Sequence, residues 1–224
     1  GTDITATVDG TTLSFTASQD FNGSEEFVAT AFDGYLSSSQ SFTVTVNAVN
    51  DAPVLSSIGS LDFDEDTSLI ILLSADDVEN DVLTYTVSEG SNVNWELIGS
   101  ELTFSANQDF NGTETFTVTV SDGENFDTET FTITVNAVND APVLAVVDAV
   151  IFDEDDSLSI TLSASDVDGD DLTYSVTGGD QITATLDGAT VSFAAPANYN
   201  GSEEFTATVS DGNLAASQTF TVTV

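Results

Sequence analysis

The chain has 224 residues, of which 39 are Asp or Glu and none is Lys, Arg, His or Cys, so its formal net charge is −39. No cationic patch exists for nucleic acid or an anionic membrane face, and disulfides, thiolate nucleophiles and thiolate metal sites are excluded together. Yet 40% of the residues are apolar, and they alternate with Thr and Ser, which describes a folded acidic protein whose neutralising charge has to come from outside the chain.

In chain order, the first stretch is Gly1 to Val46, which aligns without a gap on Gly179 to Val224 with 29 of 46 positions identical. It reads as the last four strands of a module, so it is expected to expose core and sheet edges. The chain is therefore expected to be a piece of something longer, with export signals or anchors elsewhere. No apolar run is long enough to span a bilayer, so no direct membrane insertion is expected. Next comes NAVNDAPVL at Asn47 to Leu55, repeated letter for letter at Asn136 to Leu144, a period of 89 residues. That period divides the chain into a half repeat, 1–46, and two whole repeats, 47–135 and 136–224.

Within the last repeat, period-two patterning predicts seven strands: Ala141 to Val147, Ser157 to Ser163, Leu172 to Thr177, Ile182 to Leu186, Thr190 to Ala194, Phe205 to Ser210 and Thr219 to Val224. Turn signals at Asp168, Gly178, Asp187, Asn200 and Asp211 separate them, and no helical stretch intervenes. Seven short antiparallel strands in about 90 residues describe an immunoglobulin-like β-sandwich. The fold class is therefore all-β, with tandem sandwiches arranged end to end.

Strand parity then places the acids. Turns after even-numbered strands return to the N-terminal pole, which sends Asp166, Asp168, Asp170 and Asp171, with Asp211, to the end facing the preceding repeat. The equivalent loop of the middle repeat carries Asp77, Glu79 and Asp81, with Asp122. Its other pole gathers Asp64, Glu65 and Asp66 with Asp109, Asn111 and Glu114, facing the next repeat. The linker Asn136 to Asp140 runs between. Two unit charges about 4 Å apart repel by roughly 4 kcal/mol at an effective dielectric near 20, so such a convergence calls for a cation. Calcium suits it, since it takes six to eight oxygens in irregular geometry. The Asp-x-Asp-Gly-Asp spacing is not an EF-hand, because position twelve of that loop is Thr177 and the flanks are strands.

The order of NDAP linker, Glu-Asp near the second strand, Asp-x-Asp before Leu-Thr-Tyr and Asp-x-x-x-Phe strand ends resembles the cadherin-like repeats of large bacterial surface adhesins, the immunoglobulin-like extenders of RTX-type proteins. The resemblance covers all 224 residues and implies calcium between successive domains. Carried over, the linker ligands fall on Asn50 and Asp51 and on Asn139 and Asp140. The first-strand acid falls on Glu65 and Glu154, the Asp-x-Asp pair on Asp166 and Asp168, and the strand-six acid on Asp122 and Asp211. The middle repeat departs from the pattern, with Asn80 where Gly169 stands and Val82 where Asp171 stands, which leaves the strength of the first junction open.

Other readings stand beside these. The polar acids describe a solvated or salt-adapted exterior if no metal is bound. Asn22, Asn111 and Asn200 match a glycosylation sequon but occupy one equivalent turn. Trp95 is either a sugar-stacking platform or locally packed. Glu203 and Glu204 have the makings of a glycosidase pair, but neighbours on a strand point to opposite faces. The expected function is thus a non-catalytic extracellular stalk on a bacterial cell surface, stiffened by calcium. Its partners are the neighbouring repeats of the same chain. The alternatives are a module binding extracellular polysaccharide or like molecules on other cells, and a filament built by strand complementation.

Overall fold

The computed structural model describes residues 2–224, in which every regular element is a β-strand. Among the described residues no helix is long and apolar enough to cross a membrane. The chain parts into two compact units. One comprises Gly1–Phe63, Thr67–Asn107 and Gly112–Val135; the other comprises Asp64–Asp66, Gln108–Asn111 and Asn136–Val224.

The first unit begins with two hairpins, β1 (Ile4–Asp9) with β2 (Thr12–Ala17) and β3 (Gly23–Phe32) with β4 (Ser37–Val46). Phe15, Phe27 and Phe42 form an aromatic triad with centroids 5.2, 5.9 and 6.2 Å apart. The rings remain only half-buried, beside an open cleft of about 580 Å³. The core exposure expected of this stretch is thus seen at its three rings.

The middle repeat supplies β5 (Val54–Leu55), β6 (Leu61–Asp64), β7 (Ser68–Leu72), β8 (Ala75–Asp76) and β9 (Thr84–Val87). It continues with β10 (Val93–Ile98), β11 (Glu101–Ala106), β12 (Gly112–Ser121) and β13 (Phe126–Asn136). They form a three-stranded sheet, β10-β11-β7, a four-stranded sheet, β6-β13-β12-β9, and a short β5-β8 pair. Alternation along β12, where Phe116, Val118 and Val120 are fully buried, gives each sheet one apolar face. Phe104, Phe116 and Phe131 repeat the triad at 5.2, 6.1 and 6.2 Å, here at 0, 0 and 4% exposure.

The last repeat, in the second unit, repeats this plan. Its strands are β14 (Val143–Leu144), β15 (Val150–Ile151), β16 (Ser157–Thr161), β17 (Ala164–Ser165), β18 (Thr173–Gly178), β19 (Thr183–Asp187), β20 (Thr190–Ala194), β21 (Ser202–Ser210) and β22 (Ala215–Thr223). The sheets are β15-β22-β21-β18, β16-β20-β19 and β14-β17. Phe193, Phe205 and Phe220 form its triad at 5.2, 6.0 and 6.0 Å.

One expected strand takes a different form. Ala141 to Val147 is not continuous: β14 pairs antiparallel with β17, and the chain then crosses to lay β15 parallel on β22. Val150 and Phe152 are thereby buried in the core. The segment between is held by Gln218, whose side chain both accepts from the Val147 N–H (3.2 Å) and donates to the Val147 carbonyl (3.3 Å).

Candidate metal centre

The repeated linker makes the same local contacts in both places. At the first, Asn50 Nδ2 donates to Asp122 Oδ2 (2.8 Å) and to the Asp51 carbonyl (3.2 Å), while the Asp51 N–H donates to Glu79 Oε2 (3.2 Å). At the second, Asn139 Nδ2 donates to Asp211 Oδ2 (2.9 Å) and to the Asp140 carbonyl (3.1 Å), and the Asp140 N–H donates to Asp168 Oδ2 (2.8 Å). The Asp-Gly turns are self-capped: Asp122 Oδ1 accepts from the N–H groups of Glu124 and Asn125, and Asp211 Oδ1 from those of Asn213 and Leu214. These donors favour the ionised form, so both carboxyls lie below the usual aspartate range. The leading cause is the Asn125 N–H for Asp122 and the Asn139 amide for Asp211.

The two acidic loops, Asp-x-Asp at Asp166 and Asp-x-Glu at Asp77, spend one oxygen of their leading aspartate on their own backbone and leave the other. Asp166 Oδ1 accepts from the N–H groups of Asp168 (3.0 Å), Gly169 (3.1 Å) and Asp170 (3.4 Å), and Asp77 Oδ1 accepts from that of Asp81 (2.9 Å). Asp166 Oδ2 and Asp77 Oδ2 are buried without a hydrogen-bond partner. Glu65 adds a third such atom. It is 1% exposed, its Oε1 accepts from the Val138 N–H (2.8 Å), its own N–H donates to the Asn136 carbonyl (3.0 Å), and its Oε2 is buried and unpartnered. Buried polar atoms are nearly always satisfied, and leaving one unmet costs about 1–3 kcal/mol, more when it carries charge.

Within the second unit, the linker carboxylate of Asp140 is pushed above its ordinary value, first by burial and then by Asp66, Asp109, Asp168 and Glu65 around it. Asp170 is raised likewise, by burial and then by Asp166, Asp168, Asp211 and Asp171. Asp66 and Asp109 reach their places from left-handed turn positions, at φ 63° and 57°, which Asp tolerates better than most residues. The structure thus gathers Glu65, Asp109, Asn139, Asp140, Asp166, Asp168, Asp170 and Asp211 about the second linker. At the first, hydrogen bonds tie Asn50 to Asp122 and Asp51 to Glu79, Asp77 and Asp81 belong to the same loop as Glu79, and Asp20, Asp51 and Glu79 line a cleft of about 280 Å³. The acids are neighbours rather than a preassembled shell: among the described residues no three of them could hold a metal ion as they stand. The donor set does fit calcium, being all oxygen, anionic and partly unpartnered.

Glu114 is occupied elsewhere. Its two oxygens accept from the N–H groups of Ser91 (3.1 Å), Asn92 (2.7 Å) and Val93 (3.2 Å). Glu25 grips Thr2, Asp3 and Ile4 in the same way, and Glu203 grips Asp180, Gln181 and Ile182. Each repeat therefore carries a carboxylate clip that closes the loop before a core strand. The loop can close so tightly because Gly90 has no side chain: a Cβ there would stand 2.1 Å from the Val93 carbonyl and 2.8 Å from the Phe116 ring. A signal for the clip was present in the sequence, since Asn-Gly-Ser/Thr-Glu recurs in all three repeats. Trp95 packs locally, half-buried, with Nε1 donating to the Ser88 carbonyl (2.9 Å).

The family model of the bacterial Ig domain matches residues 50–136 and 139–224. No curated protein matches the chain. Among solved structures, the extracellular cadherin domains 1–5 of protocadherin gamma B2 superpose at a TM-score of 0.58 with 19% identity, over 98% of this chain and 50% of that one. Mouse protocadherin-24 EC1-3 gives a TM-score of 0.51 and 15% identity, over 98% and 86%. An endo-fucoidan hydrolase from glycoside hydrolase family 107 aligns over 99% of this chain and 37% of its own, with 21% identity, but its TM-score of 0.37 is too loose to argue from. At these identities the likeness is one of fold.

Proposed function

Since this chain belongs to the bacterial Ig domain family, we propose that it is a calcium-stiffened segment of an extracellular stalk. Bacterial Ig-like and cadherin-like repeats are characteristically non-catalytic structural or adhesion modules, usually exposed at the cell surface. The observation that carries the calcium reading is the set of buried carboxylate oxygens without partners at Glu65, Asp77 and Asp166, in loops that meet the two linkers.

At the second linker, Glu65, Asp140, Asp166 and Asp168 would hold the ion, with Asp66, Asp109, Asp170 and Asp211 supplying further negative field. Calcium would supply positive charge and six to eight coordination positions. The chain's own groups do the positioning. The Val138 N–H fixes Glu65, the Asn139 amide orients Asp211, and the Asp140 N–H draws in Asp168. Because linker and loops would then share one ion, bending at the linker would break coordination. Extracellular modules of this kind bind calcium at about 10⁻⁴ to 10⁻³ M, which matches a calcium-rich exterior. Small-angle scattering of the chain in millimolar calcium and in EDTA tests the proposal. A longer, stiffer particle with calcium is expected, and indistinguishable profiles would overturn it.

A further inference from the structure

The outer face of the β10-β11-β7 sheet in the middle repeat carries an apolar patch that the calcium reading does not use. Leu72 and Ile98 both stand opposite Glu101, and Ile70 stands opposite Thr103. In an antiparallel ladder opposed residues share a face, so Ile70, Leu72 and Ile98 lie on one surface. About 10 Å separates the two flanking strands. Their exposures are 57, 73 and 67%. The equivalent residues one period later are Ser159, Thr161 and Asp187, on the matching face of β16-β20-β19, where Ser159 and Ser192 share a hydroxyl hydrogen bond of 2.7 Å. Val82, also exposed, likewise stands where the last repeat has Asp171. A plain spacer has no use for aliphatic side chains where its twin carries Ser, Thr and Asp, since grouped exposed hydrophobics favour association.

We infer that this face is a docking surface for a second, different polypeptide that presents aliphatic side chains rimmed by Lys or Arg. Charge complementarity selects the partner. Glu96 and Glu101 stand among the three aliphatics, so the rim they face has to be basic. Another copy of this chain is a poor match, because it has no basic residue to offer. Such an interface would hold the stalk laterally and is independent of the linkers.

The test is a nuclear magnetic resonance titration of the isotope-labelled chain with a synthetic peptide of alternating Leu and Lys, in calcium, at salt high enough to screen exposed charges. Saturable binding is expected, with shifts confined to β7, β10 and β11, and none on β16, β19 or β20. Replacing the three residues by their counterparts, Ile70→Ser, Leu72→Thr and Ile98→Asp, is expected to weaken binding by at least about tenfold. If that variant does not fold, Leu72→Thr alone is expected to weaken it several-fold. Unchanged binding by the variants would overturn the inference, as would shifts spread over the acidic loops or equal binding of a Ser-Lys peptide. Concentration-dependent self-association of the parent chain, abolished by the triple change, would replace the foreign partner with a second copy and overturn it too.

Discussion

The two linkers are identical in sequence but differ in what surrounds them. Both tie an Asn amide to the strand-six acid and an Asp N–H to the third residue of an acidic loop. At the second, Glu65 lies beneath the linker and Asp66 and Asp109 beside its aspartate, while at the first Asp20, one period before Asp109, lines a cleft with Asp51. The loops differ as well: Glu79, Asn80 and Val82 at the first, Asp168, Gly169 and Asp171 at the second. Linker sequence thus sets local geometry, while the flanking loops set how much negative charge that geometry collects. Glu65 is buried where linker backbone hydrogen-bonds to it, and Glu154, one period on, is exposed.

The largest expected effect that sharpens this comparison is from Asp140→Asn. Calorimetric calcium affinity at the second linker should fall by more than the roughly 10–100-fold that indirect partners of a metal typically cost, with the first linker unmoved. The same change should help the calcium-free protein. Asp140 has a raised pKa in the fold, so its ionisation opposes folding, and the cost is fully incurred as pH rises through that raised value. Thermal melts in EDTA at neutral pH should therefore show Asp140→Asn more stable than the parent.

A second change builds rather than breaks. Glu79→Asp, Asn80→Gly and Val82→Asp together give the first linker the loop chemistry of the second, and its calcium affinity should rise by about tenfold. Asn80 already occupies the left-handed region at φ 60°, so the gain should come from the carboxylates rather than from the turn. No rise would mean that loop charge is not what separates the linkers.

The smallest effect on calcium is expected from Glu114→Ala, which belongs to neither linker. It should leave calcium affinity unchanged while destabilising the middle repeat by about 2 kcal/mol, the order of a charge-assisted hydrogen bond to loop N–H groups left unmet. Burial opposes ionisation of Glu114, but the N–H groups of Asn92, Val93 and Ser91 outweigh it and hold its carboxyl below the ordinary value of 4.5. Its contribution is therefore present above pH about 4.5 and lost as pH falls through the lowered value. Acid melts of parent and Glu114→Ala should converge at low pH.

Much of this was legible in the residues. The 89-residue period, the period-two strands and strand parity suffice to place Asp140, Asp166 and Asp168 together, because a sandwich sends alternate turns to opposite poles. Parity does not say where a carboxylate points. Glu114 shares a pole with Asp109 by counting, yet three backbone N–H groups capture it, and a lone acid near a turn gives no hint of which donors it will meet. The split of the first strand into β14 and β15 was equally hidden, since a two-residue parallel pairing leaves no period to read. The middle sheet's aliphatic face appears only on laying Ile70, Leu72 and Ile98 across β11 and against their counterparts in the last repeat.

The most direct test of the central claim is a crystal structure of the chain grown in millimolar calcium. The account predicts spherical anomalous density about 2.3–2.6 Å from Glu65 Oε2 and Asp166 Oδ2, with Asp140 and Asp168 turned onto it. Those oxygens bound only by water or protein donors, with no ion among them, would contradict it.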